Sequence, residues 1–327
     1  MPRLTRETAY GPIPAVVTPF TEAGEIMEDA FCEVVERQIA IGAGGICVAG
    51  DNGESWTLDA AERGRLTRLA VEQARGRVPV IMGASAPMAR ASIAYGRVAA
   101  EAGAAGLLVM PQPYVLKATR EELLRRFATL ASAVDLPIVA YNTPRRSGID
   151  LTVDDIEAIC DVAPVVAIKE SSRDFFHHTH LLERLRKRIS VLTGPSHYIL
   201  PSIALGARGF IATGPELLGA DCARIMPLGA AAPTDETRAM HWRLTVLYQM
   251  LMGTGTWPAA LKAALNLLGW PAGVPREPVL PLAGADLDKV RRTLDELGLL
   301  GTIRRCRAGS RSALVAAAES DAQSRGA

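Results

Sequence analysis

The sequence predicts an α/β protein folded as a (β/α)8 barrel, the TIM-barrel architecture, with a helical C-terminal extension. Three observations carry this reading. Eight short, β-branched apolar runs recur along the chain. Amphipathic stretches with charged outer faces lie between them, and the run starts advance by about 28 residues per step, room for a strand, a helix and two short loops. Past the eighth run the pattern is helical only.

The runs are Ala15–Thr18, Gly45–Ala49, Val78–Met82, Gly106–Met110, Pro137–Tyr141, Val165–Ile168, Ile189–Leu192 and Gly209–Ala212. Near-continuous apolar strands are buried on both faces, which means a parallel sheet, and eight strand–helix units close most simply into a barrel. A doubly wound open sheet is the main rival. Charged-faced helices are predicted at 59 to 75 and 119 to 133, and a further three at 235 to 251, 258 to 268 and 285 to 298. The expected division is 1–232 for the barrel, 233–301 for the helical extension and 302–327 for a solvated, flexible tail rich in Arg, Ser, Ala and Gly.

Composition narrows the function. The 327 residues are 49% hydrophobic and 22% charged, enough for a large core, which excludes disordered and collagen-like classes. A formal charge of +1 provides no global field for nucleic acid or an anionic membrane, so a small-molecule partner is expected. The five cysteines are scattered and never spaced C-x-x-C, arguing against a disulfide framework or a thiolate metal site. The N-terminal residues lack the apolar core of a signal peptide, and the long uncharged runs are broken by Gly, Pro and polar residues. The expected location is the cytoplasm.

In such a barrel, chemistry belongs at the C-terminal ends of the strands. Lys169 follows the sixth run directly, in a chain with 31 Arg and only 5 Lys. Only an amine can lose its proton under biological conditions and attack a ketone, and desolvation could lower its pKa from about 10.4 toward 7 or 8. The bland alternative is a strand-end lysine reaching solvent. Tyr141 ends the fifth run beside it and could shuttle protons, while Arg146 could hold a carboxylate; alternatively this is a buried tyrosine and an ordinary turn. Gly50–Ser55 could form an anion-binding nest around Asp51 and Asn52, or merely a tight turn, and it lacks nucleotide-fingerprint spacing. His177, His178 and His180 are expected to face outward from a helix, with no carboxylate pattern to complete a metal site. No metal and no cofactor is expected.

Taken together these motifs resemble the dihydrodipicolinate synthase / N-acetylneuraminate lyase family. The matching residues are Gly11–Phe20, the G-x-x-G-E loop at 50 to 54, Leu58, Glu62-Arg63, Tyr141-Asn142-x-Pro-x-Arg-x-Gly, Ile168-Lys169-Glu170, Gly194, Leu205-Gly206-Ala207-x-Gly209-Phe210-Ile211 and Lys262–Leu265. The resemblance covers residues 11 to 300 in order. It implies a barrel with a helical extension, a homotetramer built as a dimer of dimers, and lysine-imine chemistry on a 2-oxo acid. By matching position Lys169 would form the imine and Tyr141 would pass protons. Asp51 and Asn52 would occupy the substrate-carboxylate site, with Arg146 near its mouth and the Ile211 carbonyl lining it.

Two departures bear on the reaction. Asp51-Asn52 stands where the family carries two hydroxyl residues, and Gln112-Pro113 stands where the synthases carry Tyr-Tyr. The synthase's hydroxyl relay is therefore expected to be missing. An ionised Asp51 aimed at a substrate carboxylate would repel it, so its side chain is expected to face elsewhere, to bind substrate hydroxyls, or to serve as an acid or base. The leading expectation is a Schiff-base lyase, an aldolase or dehydratase acting on a pyruvate-derived sugar acid or aromatic catabolite. The alternatives are a 4-hydroxy-tetrahydrodipicolinate synthase and a non-catalytic 2-oxo-acid-binding paralogue.

Overall fold

Strands of two to six residues, too short and too apolar to stand alone, pair only in parallel, and each connection carries a helix that covers the sheet's outer face. The computed structural model describes residues 2–300; the expected tail at 302–327 lies outside them. In chain order the barrel elements are β1 (Gly11–Pro12), α1 (Glu28–Ala40), β2 (Ile46–Val48), α2 (Ala60–Ala74), β3 (Val80–Gly83), α3 (Ala89–Glu101), β4 (Gly106–Val109), α4 (Arg120–Ala133), β5 (Ile138–Asn142), α5 (Pro144–Ser147), α6 (Val153–Val162), β6 (Val165–Glu170), α7 (Phe175–Leu185), β7 (Ser190–Thr193), α8 (Ile199–Ala204), β8 (Gly209–Phe210) and α9 (Ile225–Ala230). Three helices follow, α10 (Asp235–Met252), α11 (Ala259–Leu267) and α12 (Gly284–Glu296).

The strands hydrogen-bond in the order β1-β8-β7-β6-β5-β4-β3-β2, all parallel. The ring closes just past β1. Ala15 bridges to Cys47 of β2, the Cys47 amide donates to the Pro14 carbonyl at 2.9 Å, and Val16 N donates back to the Cys47 carbonyl at 3.0 Å. The first strand thus sits earlier than the apolar run 15–18 suggests and is only two residues long. Pro12 and Pro14 have no N–H to donate, so the ladder here is intermittent, and Val17 and Thr18 make no ladder bond.

Alternation sorts each strand's side chains. Val139, Tyr141, Ala167, Leu192 and Ile211 share the inner cluster of the barrel with Cys47 and Ile81, whereas Ile138, Ala140 and Ile168 join the core between sheet and helices. Lys169 has the inward parity of Ala167. Helices start where local chemistry dictates. Asp59 with Glu62, and Thr119 with Glu122, form reciprocal capping boxes at the starts of α2 and α4.

One helix face differs from expectation. The buried positions of α7 are His178, Leu181, Leu182 and Leu185, an i, i+3, i+4, i+7 stripe in which a histidine fills an apolar position. His178 is 1% exposed, and burial pushes its pKa down to about 4, so it packs as a neutral ring. His177 lies with Nε2 3.4 Å from Glu170, and of the three only His180 is exposed.

The C-terminal helices lock onto the barrel mouth through one buried cation. Lys262 of α11, 1% exposed, places Nζ 2.5 Å from Glu54 and donates to the carbonyls of Thr18 and Val274 at 2.7 Å each. Arg276 adds to the lock: its amide donates to Glu54 at 2.9 Å and its guanidinium pairs with Glu62. Among the described residues no helix is long and apolar enough to cross a membrane. Replacing Lys262 by Met should cost about 3–5 kcal/mol, because the completely buried Glu54 would lose its counter-charge. Chemical denaturation would show this, and a loss below about 1 kcal/mol would contradict the role assigned to the pair.

Candidate active site

The strand ends converge on one cavity of about 310 Å3 at the C-terminal mouth of the barrel. Lys169 near the end of β6 and Tyr141 near the end of β5 are register partners, so their inward side chains emerge side by side. The Lys169 Nζ lies 4.3 Å from the centroid of the Tyr141 ring. Both residues are nearly inaccessible, Lys169 at 6% and Tyr141 at 4%. Burial acts on them with opposite signs. It pushes the lysine below its usual pKa, an effect the Asp51 charge opposes, and it pushes the phenol well above 10, an effect the Asp51 charge reinforces.

Asp51 sits between these groups. Its Oδ2 accepts the Tyr141 hydroxyl at 3.0 Å and lies 3.5 Å from Arg146 Nε. The carboxylate therefore faces the cavity, one of the placements its charge left open, and is held there by a hydroxyl and a cation. Arg146, half exposed at the mouth, also lies 5.5 Å from the Trp56 ring.

The loop after β2 is a short 3-10 turn, Asp51–Gly53, bracketed by two non-glycine residues in the left-handed region, Ala49 (φ 51°) and Glu54 (φ 54°). Such residues cost about 1–3 kcal/mol each and are held by their surroundings, here by the buried Glu54–Lys262 pair. Gly53 cannot carry a side chain, since a Cβ would lie 2.8 Å from the Val16 carbonyl. The predicted nest is only partly available: the amides of Gly53, Glu54 and Ser55 bond within the loop. Those of Asp51 and Asn52 have no acceptor among the described residues. Asn52, 4% exposed, accepts the Thr213 hydroxyl at 3.1 Å through Oδ1, and its Nδ2 is buried with no partner. Two backbone donors and one side-chain donor are thus unspent on this wall, an arrangement suited to a small carboxylate.

Ile211 lies just past β8 on the same cavity, 1% exposed, its amide donating to Thr193 O at 3.0 Å. Glu170, beside the lysine, accepts from Asn142 Nδ2 at 2.9 Å and from the Ser172 amide at 2.6 Å, which stitches the tops of β5 and β6 together. Asp51, Asn52, Tyr141, Arg146, Lys169 and Ile211 all line the one cavity. Gln112 and Pro113 are outside its lining, Gln112 buried and the following Tyr114 87% exposed.

Sequence reasoning missed Thr143, Thr213, Arg173, Tyr248 and Trp257, which also line the cavity. Thr213 and Arg173 follow strand ends, a signal that was there to use. Tyr248 and Trp257 belong to the helical extension, and no local pattern announces that it folds over the mouth. Among the described residues no group of three or more His, Cys, Asp or Glu is placed to hold a metal ion.

The profile of the dihydrodipicolinate synthetase family matches residues 8–297. The chain belongs to that family. It is 37% identical over 289 residues to the 4-hydroxy-tetrahydrodipicolinate synthase of Sorangium cellulosum, covering 88% of this chain and 95% of the relative. It is 35% identical to the synthase of Syntrophobacter fumaroxidans, covering 89% and 99%. Among solved structures, the dihydrodipicolinate synthase of Aquifex aeolicus superposes with a TM-score of 0.83 at 31% identity, covering 89% of this chain and 98% of that one. The chloride-inhibited enzyme of Acinetobacter baumannii complexed with pyruvate gives 0.83 at 26%, covering 89% and 99%. This dihydrodipicolinate synthetase family member therefore has the (β/α)8 barrel and C-terminal helices of its solved relatives.

The electrostatics make a signed prediction for reactivity. Carbonyl attack by Lys169 should rise with pH around a midpoint below the usual 10.5 of a lysine. In Asp51→Asn the attractive charge is gone and the midpoint should move lower still. Borohydride trapping of a 2-oxo acid across a pH series measures both, and a midpoint moving upward in the variant would contradict the assigned geometry.

Proposed function

We propose that this chain is a lysine-imine lyase that breaks a bond at C3 or C4 of a 2-oxo acid, as an aldolase or dehydratase. The observation that carries it is the buried pair of Lys169 and Tyr141, register partners with the lysine lowered and the phenol kept protonated. A neutral amine can add to the C2 carbonyl. A proton passes from the nitrogen to the former carbonyl oxygen, that hydroxyl takes a second proton from Tyr141, and it leaves as water as the C–N double bond forms. The resulting iminium is an electron sink. It accepts the electron pair of a breaking C3–C4 bond, or, after loss of a C3 proton, the enamine expels a hydroxyl from C4. The free amides of Asp51 and Asn52 and the Asn52 Nδ2 hold the carboxylate next to the carbonyl.

Asp51 supplies the proton relay in this reading. A carboxylate on the tyrosine hydroxyl can take a proton and return it to Tyr141, which a neutral alcohol does poorly near neutral pH. A second reading is condensation of pyruvate with an aldehyde, the reaction in the names of the synthases the chain is similar to. It uses the same imine, and those relatives favour it. The non-catalytic binder is disfavoured because a lysine buried with a lowered pKa costs stability that binding alone does not require.

Incubation with pyruvate and borohydride should leave a reduced adduct on Lys169, found by peptide mass spectrometry and absent in Lys169→Ala. Tyr141→Phe should lower the rate of adduct formation by about 10²–10⁴-fold. A Lys169→Ala variant with full turnover would overturn the imine reading. Side-by-side assay of pyruvate condensation with aldehydes and of 2-oxo-acid breakdown decides direction, and faster condensation would transfer the conclusion to the synthase reading.

A further inference from the structure

The cavity holds a second built feature on the wall formed by the loop after β6 and helix α10. Arg173 follows β6 with φ 68°, a left-handed conformation that arginine adopts only when its surroundings hold it. Those surroundings are identifiable. The Tyr198 hydroxyl donates to the Arg173 carbonyl at 2.8 Å, and the Tyr248 hydroxyl accepts both Arg173 Nε at 3.1 Å and Nη2 at 2.8 Å. Tyr248 is itself braced by the His197 ring at 5.0 Å. The guanidinium is thereby fixed on the cavity wall, while three of its five N–H groups donate to no acceptor among the described residues.

The charges do not balance without a ligand. Apart from the Lys169 amine, the lining carries three guanidinium groups, Arg145, Arg146 and Arg173, against one carboxylate, Asp51. Asp51 faces Tyr141 and Arg146. Asp174, next in sequence to Arg173, uses Oδ1 to cap α7 at the amides of Phe176 and His177. Neither Arg173 nor Arg145 has a carboxylate partner among the described residues. A 2-oxo acid bound with its first carboxylate at Asn52 neutralises one positive charge at most. The cavity is also far larger than a three-carbon acid requires.

We infer that Arg173 and Tyr248 form a subsite for a second carboxylate, at the end of the substrate remote from the carbonyl, and that the substrate class is therefore 2-oxo dicarboxylic acids. The inference rests on the imine reading for the position of the carbonyl, but not for the subsite itself. Arg173 supplies the planar fork that a carboxylate matches, and Tyr248 keeps its own hydroxyl proton to donate. The extension thereby contributes directly to specificity.

The test measures half-saturating concentrations for borohydride trapping on Lys169. It compares 2-oxoglutarate and 2-oxoadipate with 2-oxopentanoate and 2-oxohexanoate, the matched monocarboxylates. At least one dicarboxylate should saturate at a concentration lower by about tenfold or more, the effect of a charge-assisted hydrogen-bonded pair. Arg173→Leu and Tyr248→Phe should bring that ratio toward one, and Arg173→Lys should restore part of it. Because the readout is a ratio within each variant, a general loss of folded protein does not move it. Equal half-saturation in the wild-type protein, or a preference that survives in both variants, overturns the subsite. Calorimetric binding of glutarate against pentanoate needs no imine. Glutarate binding that is lost in Arg173→Leu supports the subsite even where no adduct forms, whereas equal weak binding of both acids overturns it.

Discussion

The buried ion pair between Glu54 and Lys262 is the contact on which the rest of the site depends. Two charges taken out of water are costly, and a pair of apolar residues could fill the same space with more stability. What the pair supplies is position. Glu54 sits in a left-handed backbone conformation directly after the turn that carries Asp51 and Asn52, and Lys262 anchors it to the helical extension and to the Thr18 carbonyl. The strained turn, the unspent amides and the helices that cover the cavity are thereby referred to one fixed point. Burial and Arg276 also hold Lys262 low, its pKa at about 8 despite the Glu54 charge, so the pair is tight but electrostatically expensive.

A single physical cause, desolvation at the barrel mouth, prepares both groups of the Lys169–Tyr141 pair. Removing water disfavours the ammonium and the phenolate alike, which shifts the lysine toward its neutral amine beside a phenol that keeps its proton. Asp51 then modulates both groups in one direction, upward. This moderates the lysine's shift and strengthens the tyrosine's. A hydroxyl residue in that position would carry no charge and could not couple the two titrations. Asp51 therefore acts on the electrostatics of the whole site and not only as a local hydrogen-bonding group.

Family membership and the geometry speak to different levels of function. The relatives share the scaffold over nearly the whole chain. The walls around Lys169 carry Asp51 and Asn52 on one side and the Arg173–Tyr248 pair on the other. In a barrel the strands set the position of the reacting group, while the loops and appended helices set what can approach it.

The sequence by itself determined the barrel, because eight apolar runs at near-constant spacing admit few closed parallel arrangements. It also pointed to Lys169 and Tyr141, because strand parity and strand ends are local properties. Helices α2 and α4 were legible from their patterns, and their Asp-x-x-Glu and Thr-x-x-Glu caps account for where they begin. The first strand was misplaced because prolines, not apolar residues, decide where its ladder can form. The inward packing of His178 was missed because a neutral histidine reads as polar until burial has fixed its charge state. The orientation of Asp51, the partial use of the nest and the arrival of Tyr248 at the cavity were decided only by tertiary structure. Each depends on groups far apart in the chain meeting in a space from which water has been removed, and no local pattern of residues encodes that meeting.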